Sequence, residues 1–507
     1  MRVQNLPGFS KLLADYLDQS PSIRTFFPCP LSRESLDSHA AEIRARAYSR
    51  EEICKALEEQ ATEFRSGPKT RENIARLRRR DSVAVVTTAF PALFGGTLSD
   101  YLQCLTTIRL ADALDRQGIS AVPIFWIRPE TTPSDQISTV RLTERRWHLA
   151  LERASNGNPS VPPQISGLLA RLRELGSDRT EAGAELHELL SDAYTPGVPL
   201  SVAFGRLLSA LMERWGPVLV DPRKAGFESL HFPVLDRFQL NAREIESILE
   251  SRHEQISRAG YSVECRGSDN QSSRVRNHAR SGSDDTHQPE KPEEKLVFSG
   301  ALPPILQHWL LPAVASVAGT DELDCLAEAM PLFDYFGLQP PVVWPRVSAT
   351  IMDTRTRKIL EKYQLRFEDL FQGPEALLQQ LLDRKLKPDT VERFDRLRAE
   401  VEKRLGAVVA ALPPEDKSLS PLVDTSRSKI LYQLGKLQER FEAARTLRKE
   451  AMTRHLDRLC KSLAPERQLQ ENIAGVEFLL RYSRSLLTEL YEKIDVWNQE
   501  HQIVSID

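Results

Sequence analysis

The sequence predicts an α/β protein: a Rossmann-like parallel-sheet core joined to a long antiparallel α-helical coiled-coil domain. Short valine-rich runs and leucine-striped helical segments alternate along much of the chain, which is the pattern of a parallel sheet covered by helices. In the last third, apolar residues recur at three-and-four spacing among charged ones, which indicates a coiled coil. At 507 residues, with 41% hydrophobic residues, the chain is long enough for more than one domain.

The first predicted β-α-β unit contains a loop with two adjacent glycines. Residues 82–90 and 120–127 are apolar runs typical of strands buried on both faces, and a leucine-striped helix separates them. Gly95 and Gly96 precede that helix, where backbone amides at a helix N-terminus attract anions. Both glycines are therefore candidate cofactor-binding residues. Because the loop has no lysine, a turn that only packs the fold is the alternative.

Polar residues that follow predicted strands are further candidates. Asp221 ends the strand in "GPVLVDP" and is a candidate cofactor contact, since open parallel sheets bind ligands beyond the carboxyl ends of their strands. A turn aspartate is the alternative. Glu130 follows the second strand and is a candidate base, with a solvated or structural carboxylate as the alternative.

A later strand in "VVWPRVSATI" leads into three more candidates. Arg346 can clamp a phosphate or carboxylate with two parallel hydrogen bonds, and an inter-domain salt bridge is the alternative. Ser348 and Thr350 can donate to the same anion or cap the next helix. Gln307 is a candidate for orienting a polar group of the substrate, or a structural hydrogen-bonding residue.

Composition divides the chain into predicted regions. Residues 1–375 form the α/β core with N-terminal helices, and 266–295 is so poor in apolar residues that a flexible surface insertion is expected. Residues 376–470 form a helical hairpin whose apolar stripe needs a partner, for which a second copy in a symmetric dimer is expected. Residues 471–507 return to the core.

Charge and residue spacing argue against several classes of function. The formal net charge of −3 gives no reason to expect nucleic acid or an acidic membrane as partner. No apolar run is long enough to span a bilayer and the start lacks a secretory pattern, so a cytoplasmic protein is expected. The six cysteines and ten histidines show no metal-binding spacing, so no metal site is predicted.

Taken in order, several segments resemble one family, the bacillithiol biosynthesis cysteine-adding enzymes. The resemblance covers nearly the full chain, apart from the predicted insertion. The segments that carry it include "LFGGTLSDYLQCLTTIRLADAL", "AVPIFWI", "YTPGVPLSVAFGRLL", "GPVLVDP", "LLPAVASVAGTDEL", "VVWPRVSAT" and "EHQIVSI".

The resemblance implies a Rossmann-like core, a coiled coil that forms a homodimer, and a specific reaction. That reaction joins cysteine to glucosaminyl-malate through an amide bond. A carboxylate is a poor acyl donor, so a nucleotide, ATP or ADP, is the expected cofactor. The candidate catalytic residues are Arg346, Ser348, Glu130 and Gln307. The candidate cofactor-binding residues are Gly95, Gly96, Asp221 and Thr350.

Several polar positions of the family differ in this chain. Phe90 stands where the family has a glutamine, and a family lysine aligns with Gln103. Loss of preorganised donors or proton-transfer groups typically lowers rates by about 10² or more each. A second hypothesis is therefore a catalytically silent dimeric relative that acts as a binding or scaffold protein.

Overall fold

A computed structural model of the chain places most of its residues in two compact units. The described residues are 1–128, 135–152, 158–175, 181–224, 226–263, 301–385 and 389–506. One unit comprises Met1–Ile351 together with Leu469–Ile506, and the other comprises Met352–Gln468. Glu130 and the predicted insertion 266–295 lie outside the described residues.

Strands and helices alternate through the first unit, and helices dominate the second. The strands are β1 Val83–Ala89, β2 Ala121–Ile127, β3 Thr139–Arg141, β4 Arg146–His148, β5 Val218–Val220, β6 Ala313–Ala318, β7 Val342–Pro345, β8 Ala349–Asp353 and β9 Gln502–Ile506. The helices are α1 Lys11–Leu17, α2 Arg33–Ala45, α3 Arg50–Glu63, α4 Pro68–Arg78, α5 Leu98–Arg116, α6 Asp135–Ser138, α7 Ile165–Leu175, α8 Glu181–Ala193, α9 Leu200–Leu211, α10 Glu228–Leu240, α11 Ala242–Arg258, α12 Leu302–Leu310, α13 Thr320–Tyr335, α14 Thr354–Tyr363, α15 Pro374–Lys385, α16 Asp389–Ala410, α17 Ser420–Leu463, α18 Gly475–Tyr482 and α19 Ser485–Lys493.

Five strands form a parallel sheet in the order β5-β2-β1-β6-β7. The chain first adds strands on one side of β1, through β2 and β5, and then returns to place β6 on the other side. The strand order therefore reverses between β1 and β6. Such a reversal opens a crevice at the carboxyl edge of the sheet, which is where open α/β sheets bind ligands.

The sheet is covered on both faces, as the valine-rich strands predict. All seven residues of β2 are buried. Ile124 and Trp126 belong to one apolar core, whereas Phe125 and Ile127 belong to the other. Because side chains alternate along a strand, these two cores lie on opposite faces of the sheet. The predicted α/β fold class is confirmed.

The second unit contains the predicted helical hairpin. Helices α16 and α17 pack together, and the rings of Phe394 and Phe441 lie 6.2 Å apart. Near its end α17 buries Met452, Leu456 and Leu459, but farther out the helix exposes apolar residues. The exposed apolar residues of α17 are Leu422, Ile430, Tyr432, Leu437, Phe441 and Leu447. Within the described ranges, no helix combines the length and apolar character needed to cross a bilayer.

Candidate active site

The crevice between β1 and β6 collects polar side chains from four elements of the first unit. Thr87 and Thr88 come from β1, Gln103 from α5, and Gln307 from α12. Glu322 comes from the first turn of α13, directly after β6. Polar groups from separate elements thus converge where the sheet topology places a ligand.

Gln103 connects both sides of the crevice. Its Nε2 donates to Thr87 Oγ1 at 2.7 Å and to the Thr88 carbonyl oxygen at 3.1 Å. The same nitrogen lies 3.5 Å from Glu322 Oε1. Thr87 in turn donates to the Val317 carbonyl oxygen at 3.0 Å, which ties β1 to β6. Gln307 Nε2 adds a contact of 3.3 Å to Thr88 Oγ1, so this predicted residue does lie in the crevice.

Glu322 contributes a carboxyl group to the crevice and also caps the N-terminus of its own helix, α13. Its Oε2 accepts from the Gly319 amide at 3.0 Å. Burial raises the pKa of the Glu322 carboxyl, and the neighbouring Asp321 raises it further, against the attraction of Arg346. A carboxyl with a raised pKa in a crevice has the character of an acid–base group.

Arg346 follows β7 and is held by a buried carboxylate. Its guanidinium donates from one terminal nitrogen to Glu471 Oε1 at 2.6 Å, with the two side chains only 14% and 1% exposed. The second Glu471 oxygen accepts from Ser348 Oγ at 2.8 Å and from the Ala349 amide at 3.1 Å. Burial opposes ionisation of Glu471, but Arg346 outweighs it, so the pKa of this carboxyl is lowered.

His501 joins two other predicted residues, Ser348, which follows β7, and Thr350, which lies in β8. Its Nδ1 lies 2.7 Å from Ser348 Oγ and its Nε2 lies 3.0 Å from Thr350 Oγ1. Burial lowers the pKa of His501 to about 4, against the attraction of Glu471. The ring is therefore neutral near pH 7, and Ser348 and Thr350 are held by it. The structure thus links Arg346, Ser348 and Thr350 through Glu471 and His501, but the single strand expected in "VVWPRVSATI" is divided into β7 and β8, and a site role for these residues stays a prediction.

A small cleft opens beside this network. Its lining includes Gly319, Thr320, Arg346, Ser348 and Phe9. Its volume of about 20 Å³ is enough for one water-sized group.

The amides of the glycine loop already have partners. The Gly95 amide donates to Tyr194 Oη at 3.3 Å, the Gly96 amide to the Leu93 carbonyl at 3.2 Å, and the Thr97 amide to Asp100 Oδ2 at 2.7 Å. A phosphate at this helix N-terminus has to displace the Asp100 carboxylate. A cofactor role for Gly95 and Gly96 stays a prediction.

Asp221 lies beyond β5 and is fully enclosed. Its carboxylate accepts three hydrogen bonds from Arg223 and one from Ser201 Oγ at 2.8 Å. The Gln60 amide contacts both backbone groups of Asp221, at 2.8 and 2.9 Å. Burial disfavours the charged carboxylate, but these donors together lower its pKa. All of its acceptor positions are occupied from within the chain, and its predicted cofactor role remains a prediction.

Sequence reasoning missed Glu471 and assigned no site role to Gln103 or His501. Glu471 is more than 120 residues from Arg346 along the chain, and nothing in "QENIAG" indicates a functional acid. Gln103 carries a weak signal, because it is a polar residue on the buried side of α5. Among the described residues, no group of three or more histidine, cysteine, aspartate or glutamate side chains is placed to hold a metal ion.

The fold and crevice define a Rossmann-like α/β protein with an appended coiled-coil domain. Residues 1–273 match the family model of the N-terminal Rossmann-like domain of the bacillithiol biosynthesis protein BshC, and residues 349–506 match that of its C-terminal coiled-coil domain. The chain belongs to the BshC family of bacillithiol biosynthesis.

Curated relatives align over the whole chain. A protein of Koribacter versatilis is 28% identical, covering 99% of this chain and 98% of its own length. A protein of Solibacter usitatus is 27% identical, and the alignment covers 100% of this chain and 99% of that protein's length. One of Bacillus cereus is 21% identical, covering 98% of each. All three bear the name "Putative cysteine ligase BshC".

Proposed function

We propose that this protein is a cysteine ligase that joins cysteine to glucosaminyl-malate through an amide bond. Two findings support the proposal: full-length similarity to relatives that are named as cysteine ligases, and a polar crevice at the switch point of the sheet. The proposed substrates are small molecules of the cytoplasm, which is where we place the reaction.

The reaction makes two physical demands. The carboxylate of cysteine is a poor acyl donor, so we propose that ATP activates it. Donors must then stabilise the negative charge that develops on the phosphate or carbonyl oxygens, a role suited to Arg346, while Ser348 donates to Glu471 and helps to hold that carboxylate in place. A base must keep the attacking amine neutral, a role suited to Glu322.

One observation carries the proposal beyond similarity. Gly319 lies between Arg346 and Glu322: a β-carbon built on it would lie 3.3 Å from Arg346 Nε and 2.9 Å from Glu322 Oε2. A cation for developing negative charge and an acid–base group for an amine therefore both lie close to one residue. That pairing is what amide formation requires.

The test is product formation by the purified protein. Incubation with cysteine, glucosaminyl-malate and ATP is expected to give a compound whose mass is the sum of both substrates less one water. Omission of ATP is expected to abolish it, and Arg346→Met is expected to reduce it at least about hundredfold. No product from the complete mixture contradicts the proposal, and nucleotide binding without product would favour the catalytically silent relative.

A further inference from the structure

Thr106 links the helix that borders the crevice to the segment that carries Arg346. It lies on α5, one turn after Gln103, and its side chain is fully buried. Its hydroxyl donates to the Leu102 carbonyl oxygen at 2.7 Å, as threonines inside helices commonly do. The same oxygen accepts from the Val347 amide at 3.0 Å. One hydroxyl thus joins α5 to the connection between β7 and β8.

Val347 passes this restraint to Arg346 through both the backbone and the side chain. The Arg346 amide donates to the Ala318 carbonyl oxygen of β6 at 2.9 Å, and the next amide, that of Val347, donates to Thr106. In addition, Arg346 Nη1 donates to the Val347 carbonyl oxygen at 3.3 Å. The position of the guanidinium therefore depends on where Val347 is held.

Thr106 and Glu471 hold the Arg346 segment in different ways. Glu471 carries a charge that neutralises the guanidinium at 2.6 Å, so its replacement alters both the position and the electrostatics of Arg346. Thr106 is uncharged, and loss of its hydroxyl leaves the Val347 amide without its acceptor. Because Val347 is buried, an unpaired amide there is costly, and the segment shifts until the amide finds another partner.

We propose that Thr106 is a positioning residue for amide formation: by holding Val347, it places the Arg346 guanidinium where negative charge develops on the acyl donor. This inference rests on the proposed ligase function and on the role of Arg346 in it. Displacement of a catalytic group by about 1 Å lowers a rate by as much as about hundredfold. Since Arg346 is proposed to act on the transition state, the loss belongs in kcat and not in KM.

Thr107 provides a matched control on the same helix. It is also fully buried, and its hydroxyl donates to the Gln103 carbonyl oxygen at 2.9 Å. Within the described part of the chain, the Thr107 hydroxyl accepts no hydrogen bond. Thr106→Val and Thr107→Val therefore lose the same kind of bond inside α5, and only Thr106→Val loses the bond to Val347. Thr106→Ser keeps the hydroxyl and is the conservative variant.

Steady-state kinetics of the purified full chain give the first test. Thr106→Val is expected to lower kcat at least about tenfold while the KM for cysteine and for glucosaminyl-malate changes less than about threefold. Thr106→Ser and Thr107→Val are expected to stay within about twofold of the unaltered protein in both constants. Equal kcat values for Thr106→Val and Thr107→Val overturn the inference.

A double variant shows whether Thr106 acts through Arg346. In the Arg346→Met protein, the further change Thr106→Val is expected to leave the residual kcat unaltered, because the group that Thr106 positions is already gone. The same fold-loss in both backgrounds means that Thr106 acts on something other than Arg346, which contradicts the inference.

Hydrogen exchange at the Val347 amide gives a readout that needs no turnover. Exchange followed by mass spectrometry is expected to be faster in Thr106→Val than in Thr107→Val, since only the former frees this amide. Equal exchange in the two variants overturns the positioning role and leaves the ligase proposal standing. Faster exchange together with no product from the unaltered protein refutes the ligase proposal, although Thr106 still holds the Arg346 segment.

Discussion

At the scale of single residues, the network around Arg346 depends on one carboxylate that comes from a distant part of the chain. Glu471 accepts from the Arg346 guanidinium, the Ser348 hydroxyl and the Ala349 amide. Loss of one partner from a buried ion pair leaves an uncompensated charge, which is far more damaging than loss of a surface pair. Glu471 therefore fixes the position of the residues that the proposed reaction uses.

Replacement of this carboxylate should destabilise the first unit. Glu471→Gln is expected to lower the free energy of unfolding by about 3 kcal/mol, because Arg346 stays buried without a counter-charge. Urea unfolding followed by circular dichroism measures the change. Glu254→Gln is the control, since Glu254 pairs with Arg258 on the surface at 2.7 Å and its loss is expected to cost less than about 1 kcal/mol. Equal effects of both changes would contradict the structural role of Glu471.

His501 should make stability depend on pH. The folded protein holds the pKa of His501 at about 4, below the ordinary value of 6.5, so the unfolded chain binds more protons between these values. The corresponding stabilisation is complete above pH 6.5 and is lost as pH falls toward 4, in total on the order of 3 kcal/mol. His501→Gln is expected to flatten this part of a curve of unfolding free energy against pH. His231 and His308, also with pKa values of about 4, contribute equally in both proteins. An unchanged slope would refute the assignment.

Sequence predicted some of these residues and not others, for a physical reason. Arg346 and Ser348 follow one apolar strand, so local pattern places them near one sheet edge, whereas Thr350 lies within the next strand, β8. Glu471 and His501 reach them only through the tertiary fold, and local pattern carries no trace of such contacts. For Asp221 the sequence predicted the position, directly after a strand, but not the surroundings. The hydrogen bonds from Arg223 and Ser201 that occupy its carboxylate come from the tertiary fold.

At the scale of elements, the glycine loop before α5 is shaped by three consecutive residues with positive φ. Phe94, Gly95 and Gly96 have φ values of 54°, 83° and 82°. This backbone conformation is less stable by about 1–2 kcal/mol for a residue with a bulky side chain. In Phe94 the cost is offset by full burial of the ring and by a hydrogen bond from Tyr101 Oη to the Phe94 carbonyl oxygen. The strand, loop and helix were predictable from sequence, but the tyrosines that occupy the loop's backbone groups were not.

A methyl group on Gly95 should disrupt this loop. Gly95→Ala is expected to destabilise the protein by more than about 2 kcal/mol, because the conformation is strained and the β-carbon collides with the Tyr101 hydroxyl. Gly118→Ala separates the two causes: Gly118 has φ +85° but open space around it, so about 1 kcal/mol of strain is expected. Thermal unfolding of both variants gives the comparison. A Gly95→Ala protein as stable as Gly118→Ala would show that the loop is not packed in this way.

At the scale of the whole molecule, the helical hairpin exposes an apolar stripe. Leu422, Leu437 and Leu447 are 66%, 55% and 65% exposed in a single chain. The three-and-four spacing of the sequence predicts this stripe, but sequence alone does not say what covers it. We propose that a second copy of the hairpin does so in a homodimer.

Sedimentation analysis tests the dimer. The unaltered protein is expected to have twice the chain mass of 57.4 kDa, and Leu437→Glu is expected to shift it toward one chain mass by placing charge in the interface. Leu240→Glu is the control, because Leu240 is 76% exposed on α10 in the other unit. A single chain mass for the unaltered protein would contradict the proposed assembly.

The most direct measurement is a crystal structure of the protein soaked with the amide product of cysteine and glucosaminyl-malate. Density for the product is expected at the carboxyl edge of the sheet between β1 and β6, with hydrogen bonds to Gln103, Glu322 or Arg346. Product density at a site away from this crevice, or an empty crevice at saturating product concentration, would contradict its assignment as the place where the amide bond forms.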